Sequence, residues 1–224
     1  MNIQEKIDPF SIDQEFSENP LMSMIKLARF KFAAKMLSTD DIVLDLGCGN
    51  GFSSYFFSFY AKEVLGVDLY SDIPAASERF VADNLCFIKE DILTPSSRIT
   101  SKRFTVVTAI DVIEHFYRED GEKIIRNYSE LLTDNGMMVI GTPNKFSKMY
   151  RSEKSKQVHF YEYEPDELKK LCDRYFGRTI LFSMNDELVH TGFNKLAWFL
   201  FILCFKWKIK DALTTTLLTI YKSI

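Results

Sequence analysis

Short apolar runs and amphipathic segments alternate along most of this chain. The apolar runs, which are rich in Val, Ile and Leu, predict five strands at 42–46, 63–69, 85–89, 104–110 and 137–142. The amphipathic segments, in which apolar residues recur at helical spacing, predict helices at 21–37, 52–61, 73–82, 119–132 and 165–175. Because strands that alternate with helices pair in parallel, the pattern predicts an α/β sandwich.

The same pattern divides the chain into three consecutive parts of one domain. Residues 1–40 are a polar arm and the first helix, which we expect to act as a lid over a cofactor or substrate. Residues 41–143 hold the alternating strands and helices, and residues 144–224 hold an aperiodic insert, the last strands and an apolar C-terminal helix. Loops at the carboxyl edge of such sheets bind ligands, so the insert at 144–163 is predicted to face the substrate.

Composition is that of a soluble globular protein. Of the 224 residues, 46% are apolar and 26% are charged, and 28 basic against 31 acidic residues give a net charge of −3. No basic excess is available for a phosphate backbone, so a nucleic-acid partner is not expected. The four cysteines form no CxxC pair and the N-terminal stretch has no apolar core segment, which predicts a reduced, cytoplasmic protein.

The sharpest motif stands where the first predicted strand ends. In the run VLDLGCGNG, Asp45 is followed by Gly47, Gly49 and Gly51 before a helix begins. Such glycines let the backbone turn tightly and approach a ligand closely. A dinucleotide site has G-x-G-x-x-G spacing instead and places pyrophosphate at the helix N-terminus. The carboxylate of Asp45 would repel pyrophosphate but favours the cationic sulfonium and ammonium groups of S-adenosylmethionine, so the loop predicts this cofactor.

Two further acids follow the next two strands. Asp68 ends the second strand, where its carboxylate can accept hydrogen bonds from both ribose hydroxyl groups. Asp91 follows the third strand and can accept from the adenine amino group, while Ile92 lies on the face of the ring. The alternative for both acids is a solvated loop, which their register with the glycine loop disfavours.

Together these motifs resemble class I S-adenosylmethionine-dependent methyltransferases. The resemblance covers about residues 42–142 and rests on the segments VLDLGCGNG, LGVDL, KEDIL and TAIDVIEHF. It implies a Rossmann-like sandwich with a seven-stranded, mostly parallel sheet, one antiparallel strand and helices on both faces. The cofactor contacts that it implies are Asp45, Gly47, Gly49, Gly51, Asp68, Leu69, Asp91, Ile92 and Ile110.

The segment Asp111-Val112-Ile113-Glu114-His115 resembles the E-x-x-E-H segment of ubiquinone-type O-methyltransferases and of small-RNA 3′-end methyltransferases. The resemblance implies that Asp111, Glu114 and His115 hold Mg²⁺ or Mn²⁺, to which His159 can add a ligand. Asp111 is shorter than the Glu of the pattern. Two alternatives stay open: Glu114 and His115 work without metal, with His115 as the general base and His159 as second choice, or His115 only caps the fourth strand.

Arg29 lies on the first predicted helix. It resembles an arginine that precedes the glycine loop in the ubiquinone-type group, which implies a contact with the carboxylate of the cofactor. The alternative is a solvated helix face.

The acceptor is less constrained by the sequence. Segments at 142–144, 155–161 and 182–193 are similar to bacterial methyltransferases found among surface-polysaccharide genes. This implies O-methylation of a small polar, glycan-linked or nucleotide-linked acceptor in capsule or O-antigen synthesis. Side chains that either contact this acceptor or only solubilise and pack the insert are Lys145, Lys148, Arg151, Lys154, Lys156, His159, Tyr161 and Tyr163.

The apolar run LAWFLFILCF at 196–205 is followed by Trp and Lys residues. It predicts a core or homodimer helix, a peripheral membrane anchor or a lid, and it is too short to cross a bilayer. The rival functions are an RNA or protein methyltransferase, a nicotinamide oxidoreductase and a non-catalytic S-adenosylmethionine-binding partner.

Overall fold

A computed structural model describes the backbone at 20–146, 157–184 and 216–222, with side chains at 26–146 and 157–182. Four of the insert cations, Lys148, Arg151, Lys154 and Lys156, lie outside the described residues. The apolar run at 196–205 also lies outside them, so its three interpretations stay predictions, as does the division into three parts. No helix in the described part of the chain is long and apolar enough to cross a membrane.

Strands and helices alternate along the described chain. In order, the elements are α1 (Pro20–Ala34), β1 (Ile42–Leu46), α2 (Phe52–Ser58), β2 (Glu63–Asp68), α3 (Ile73–Arg79), β3 (Leu85–Lys89), α4 (Ser97–Thr100), β4 (Phe104–Ile110), a 3₁₀ turn (Ile113–His115), α5 (Arg118–Ser129), β5 (Leu132–Pro143), α6 (Pro165–Cys172), β6 (Arg178–Met184) and β7 (Thr216–Lys222). The five strands and the five helices that the apolar and amphipathic patterns predict between residues 21 and 175 are all present.

Five parallel strands carry the site, in the order β3-β2-β1-β4-β5. At the β5 edge, the backbone of β7 pairs antiparallel with both β5 and β6. The order reverses between β1 and β4, which is the position where open α/β sheets bind ligands. The prediction of a Rossmann-like sandwich with a parallel sheet is confirmed by these strands.

Side chains of one strand alternate between two apolar layers, as the strand period requires. Leu44 and Leu46 of β1 pack in the layer that contains Ile124 and Tyr128 of α5. Val43 packs in the other layer, with Ala28 of α1 and the α2 helix. Helices therefore cover both faces of the sheet, as predicted.

The boundary between α5 and β5 differs from the prediction. The helix ends at Ser129 rather than at 132, and β5 begins at Leu132 rather than at 137. Phe104 of β4 pairs with Leu132, and the register then shifts before Val106 pairs with Met137. The Asn-Gly pair at 135–136 therefore forms an irregularity inside the strand instead of stopping the helix. Four further helices are shorter than predicted, ending at Ala34, Ser58, Arg79 and Cys172.

Gly121 of α5 allows Tyr163 to pack against the helix. A Cβ atom at position 121 would lie 2.3 Å from the hydroxyl oxygen of Tyr163, whose side chain is fully buried. We expect Gly121→Ala to lower the free energy of unfolding by about 1–3 kcal/mol through overpacking, although alanine favours helix by roughly 1 kcal/mol. Urea denaturation measures the change.

Removing the Tyr163 hydroxyl group provides the matched control for this contact. In the double variant Gly121→Ala, Tyr163→Phe, the clash is absent, so the stability lost in Gly121→Ala should be recovered in large part. Losses that simply add in the double variant would contradict this packing.

Candidate active site

The carboxyl ends of β1, β2, β3 and β4 meet at one edge of the sheet. The glycine loop follows β1, Asp68 ends β2, Asp91 comes shortly after β3, and the turn with Glu114 and His115 follows β4. The fold thus brings the motifs predicted from the sequence to a common edge.

The three loop glycines have positive φ angles of 65°, 56° and 89° at Gly47, Gly49 and Gly51. The amide of Gly47 donates to the Val67 carbonyl at 2.8 Å, which ties the loop to β2. A Cβ atom would lie 2.6 Å from Val112 at position 47 and 2.8 Å from Phe87 at position 51.

Gly49 differs from its two neighbours. A Cβ atom on Gly49 would meet no atom within 4 Å. Packing therefore requires glycine at 47 and 51, whereas Gly49 combines a left-handed backbone with open space at its surface. Such a surface is what a loop that lies against a cofactor needs.

Asp45 is buried behind the loop. Its carboxylate accepts hydrogen bonds from the hydroxyl groups of Ser53 at 2.6 Å, Ser54 at 2.7 Å and Thr108 at 2.6 Å. Burial raises the pKa of Asp45, and the three hydroxyl groups oppose that rise. Asp45 therefore holds the start of α2 against β1 and β4, and its predicted contact with the cofactor stays a prediction. The sequence analysis missed the three hydroxyl partners.

Asp68 is fixed by backbone amides beside the loop. One carboxylate oxygen accepts from Gly49 at 3.0 Å, and the other accepts from Tyr70 at 2.8 Å and Ser71 at 2.9 Å. The acid therefore lies against the glycine loop in a fixed orientation, with lone pairs left for further donors. This is the placement that its predicted ribose contact requires.

Asp91 caps the turn after β3 through the amide of Leu93, at 2.8 Å. Ile92 and Ile110 are buried in the core, while Leu69 is half-buried. Their predicted contacts with the cofactor stay predictions.

The exit from β4 is strained and held by a salt bridge. Asp111 has a φ of 56°, which is uncommon for a residue other than glycine, and its amide donates to Gly141 at 2.7 Å. Its carboxylate accepts a short hydrogen bond from the guanidinium of Arg29, and both side chains are largely buried. Arg29 is therefore not on a solvated helix face, so that alternative is wrong. Its predicted contact with the cofactor stays a prediction.

Glu114 is buried at the turn that follows. One carboxylate oxygen accepts from the Thr142 hydroxyl group at 2.9 Å, while the other is buried with no hydrogen-bond partner among the described residues. Burial, reinforced by the charge of Asp111 and opposed by His159, raises the pKa of Glu114 to about 8. A buried carboxylate oxygen without a hydrogen-bond partner among the described residues is chemically able to bind a proton or to ligate a cation.

Two histidines complete the cluster. The Nδ1 atom of His115 lies 2.9 Å from the Val158 carbonyl oxygen, to which it donates. The Nδ1 atom of His159 lies 2.9 Å from a carboxylate oxygen of Glu162. Because Nδ1 of each ring is held by an acceptor oxygen, Nε2 is the nitrogen through which either ring would ligate a metal or accept a proton, as in known metal sites.

Ligand atoms of Glu114, His115 and His159 lie within 4.8 Å of one another. Asp111 is not in this group: one of its carboxylate oxygens accepts from Arg29, and the other is buried with no hydrogen-bond partner among the described residues. The predicted metal set of Asp111, Glu114 and His115 stays a prediction, while the side chains that the structure brings together are those of Glu114, His115 and His159. The alternative that His115 only caps the fourth strand accounts neither for His159 beside it nor for the buried carboxylate of Glu114.

Three side chains predicted to face the acceptor are engaged elsewhere. Tyr163 is fully buried, and the Tyr161 hydroxyl group donates to Glu167 at 2.7 Å. Lys145 forms an ion pair with Glu164 at 2.9 Å.

Comparison with known proteins identifies relatives. A family model described as a methyltransferase domain matches residues 23–179. The ubiquinone biosynthesis O-methyltransferase of Glaesserella parasuis is 28% identical over 114 residues, which are 48% of this chain and 48% of the relative. That of Pelagibacter ubique is 30% identical over 108 residues, which are 48% and 44%. The chain spans about half the length of these curated relatives.

Solved structures share the fold. The N-methyltransferase NodS of Bradyrhizobium japonicum, in complex with S-adenosylhomocysteine, has a TM-score of 0.67 at 13% identity and covers 98% of this chain and 93% of its own. The methyltransferase domain of the bacterial protein CtHen1-C has a TM-score of 0.64 at 16% identity, with 89% and 100% covered.

The salt bridge at the β4 exit should stabilise the protein strongly. Arg29→Ala leaves the buried carboxylate of Asp111 without its cation, so we expect a loss of about 3–5 kcal/mol in the free energy of unfolding. The control is Lys102→Ala, which breaks an exposed pair with Glu63 and should cost less than about 1 kcal/mol. Equal losses in urea denaturation would contradict a structural role for Arg29.

Proposed function

The chain belongs to the class I S-adenosylmethionine-dependent methyltransferases, and we propose that it transfers the cofactor's methyl group to a hydroxyl oxygen of a small acceptor. The observation that carries the proposal is the common sheet edge, where the glycine loop and the Glu114, His115 and His159 cluster lie together. The curated relatives are named O-methyltransferases, which supports oxygen as the acceptor atom. The family match argues against the nicotinamide alternative.

The residues at the loop fit S-adenosylmethionine. Gly49 offers the open backbone surface, and Asp68 offers a carboxylate for the ribose. The cofactor supplies an electrophilic methyl group on a sulfonium. Transfer would join the acceptor oxygen to the methyl carbon, leave the electron pair of the broken sulfur–carbon bond on sulfur, and release the hydroxyl proton of the acceptor to a base or to solvent. The protein contributes mainly by holding the reactants in line.

We further propose that Glu114, His115 and His159 hold a divalent cation beside the acceptor oxygen. The orphaned oxygen of Glu114 and the two oriented imidazoles support this set. One carboxylate and two imidazoles suit Mn²⁺ better than Mg²⁺, because Mg²⁺ prefers oxygen ligands. A cation there would favour the ionised hydroxyl group of the acceptor.

The second candidate uses the same residues without metal. His115 donates through Nδ1 to Val158, so the Nε2 atom carries the lone pair that a general base needs. In this case the acceptor proton passes to Nε2 of His115, and His159 is the second choice.

The chemical class of the acceptor is also a proposal. The sequence resemblance to surface-polysaccharide methyltransferases favours a glycan-linked acceptor, whereas the curated relatives are named for ubiquinone biosynthesis. An RNA or protein acceptor and a non-catalytic role remain the rivals. A cytoplasmic location, a homodimer and peripheral membrane contact are further predictions. The antiparallel pairing of β7 with β5 and β6 supports the full seven-stranded sheet.

Gly49 gives a test of the cofactor site. A Cβ atom there enters open space beside the loop, so Gly49→Ala should weaken S-adenosylhomocysteine binding at least about tenfold in calorimetry. The left-handed backbone adds a cost of about 1 kcal/mol to folding, which urea denaturation measures separately. Unchanged affinity for S-adenosylhomocysteine would contradict the placement of the cofactor at this loop.

Metal dependence separates the two candidate mechanisms. If the cluster holds a cation, Mn²⁺ should bind the wild-type protein in calorimetry, and Glu114→Gln or His159→Ala should weaken that binding at least about tenfold. Tritium transfer from labelled S-adenosylmethionine into fractionated cell extract should stop with a chelator and return with Mn²⁺.

The variant His115→Ala tests both mechanisms, because each of them requires the His115 imidazole. It should keep S-adenosylhomocysteine binding and lose transfer. Chelator-insensitive transfer would leave the general-base mechanism, and wild-type transfer by His115→Ala would contradict both.

A further inference from the structure

Two aromatic rings beside the cluster are exposed. Tyr117 is 62% exposed and Phe160 is 54% exposed, and their ring centroids lie 5.1 Å apart at 40°. Their chain neighbours Phe116 and Tyr161 are instead partly buried against the core. The two rings contact each other, yet more than half of each residue is exposed to solvent. They therefore offer an apolar surface on which a ligand can pack.

Hydrogen bonds fix these rings relative to the cluster. The carbonyl oxygen of Glu114 accepts from the amides of Phe160 at 2.8 Å and Tyr161 at 3.2 Å. Phe160 directly follows His159, and Tyr117 is the second residue after His115. The Cα atoms of Tyr117 and Phe160 therefore lie at most two residues of chain, or about 7 Å, from the Cα atom of a histidine in the cluster.

Two charged side chains next to the rings are already paired. Arg118, which follows Tyr117, forms an ion pair with Glu167 at 2.7 Å. Glu162, close to Phe160 in the chain, accepts from His159 at 2.9 Å. The next charged residues along the chain, Glu119 and Asp120, are acidic, so this surface suits an uncharged ligand better than a phosphate.

We propose that Tyr117 and Phe160 form the acceptor-binding face and select an acceptor whose reacting hydroxyl group is carried on an uncharged ring with an apolar face. The ring face packs on the aromatic pair, and the hydroxyl group is directed to Glu114, His115 and His159. This inference rests on the proposed function, because it assigns the acceptor to the same cluster. A phenolic ring and a pyranose with an apolar face share this chemistry.

The test measures binding of three probes to the protein loaded with S-adenosylhomocysteine. The probes are catechol, methyl β-glucopyranoside and glycerol, which carry neighbouring hydroxyl groups on an aromatic ring, a sugar ring and an open chain. At least one ring probe should bind about tenfold more tightly than glycerol in ligand-observed NMR titrations. Tighter binding of catechol identifies a phenolic acceptor, and tighter binding of the glucoside identifies a sugar.

Three variants assign the selectivity to the aromatic pair. Tyr117→Ala and Phe160→Ala should each weaken the preferred ring probe about three- to tenfold, the size of an aromatic contact. Tyr117→Phe keeps the aromatic ring and should bind the preferred ring probe as tightly as the wild-type protein does. The matched control is Phe59→Ala, because Phe59 is 64% exposed and follows α2. S-adenosylhomocysteine affinity should stay unchanged in all four variants, which also shows that they fold.

Equal binding of glycerol and both ring probes would overturn the inference. An equal loss in Phe59→Ala, or no loss in the alanine variants at 117 and 160, would overturn it as well. These outcomes are separate from failure of the proposed metal site, which Mn²⁺ calorimetry reports without any acceptor probe.

Discussion

The candidate acceptor half of this site depends on the hydrogen bonds that join the turn after β4 to residues 158–161. The Glu114 carbonyl oxygen accepts two amides of that segment, and His115 donates to Val158. These bonds bring His159 to the carboxylate of Glu114, whose pKa is raised because burial penalises its charge. The same bonds join the two chain segments that carry the exposed rings of Tyr117 and Phe160. One backbone connection thus organises the cluster and the ring pair together.

The cofactor half depends on backbone geometry more than on side-chain charge. Packing requires glycine at 47 and 51, and the amide of Gly49 fixes Asp68. Asp45 contributes from behind the loop, through three hydroxyl groups. A sulfonium cofactor agrees with the family, but Asp45 is buried and holds the start of α2.

The sequence predicted the sheet because its signals are local. Short apolar runs, alternating helices and a glycine loop each lie within about fifteen residues of chain, and each of these elements is present, although several of their boundaries differ. Pairs that are distant in the chain could not be predicted in this way. Arg29 and Asp111 are separated by 82 positions, and their salt bridge engages one carboxylate oxygen of Asp111. The exposure of Tyr117 and Phe160 depends equally on tertiary packing. The β5 boundary was wrong because an irregular pairing with Phe104 extends the strand through an Asn-Gly pair.

The most direct test of the account is anomalous diffraction from crystals grown with Mn²⁺ and S-adenosylhomocysteine. The account predicts a manganese peak coordinated by Glu114, His115 and His159, with the ligand along the loop at Gly49 and its ribose on Asp68. S-adenosylhomocysteine bound away from that loop, or manganese held by Asp111 with His159 turned away, would contradict it.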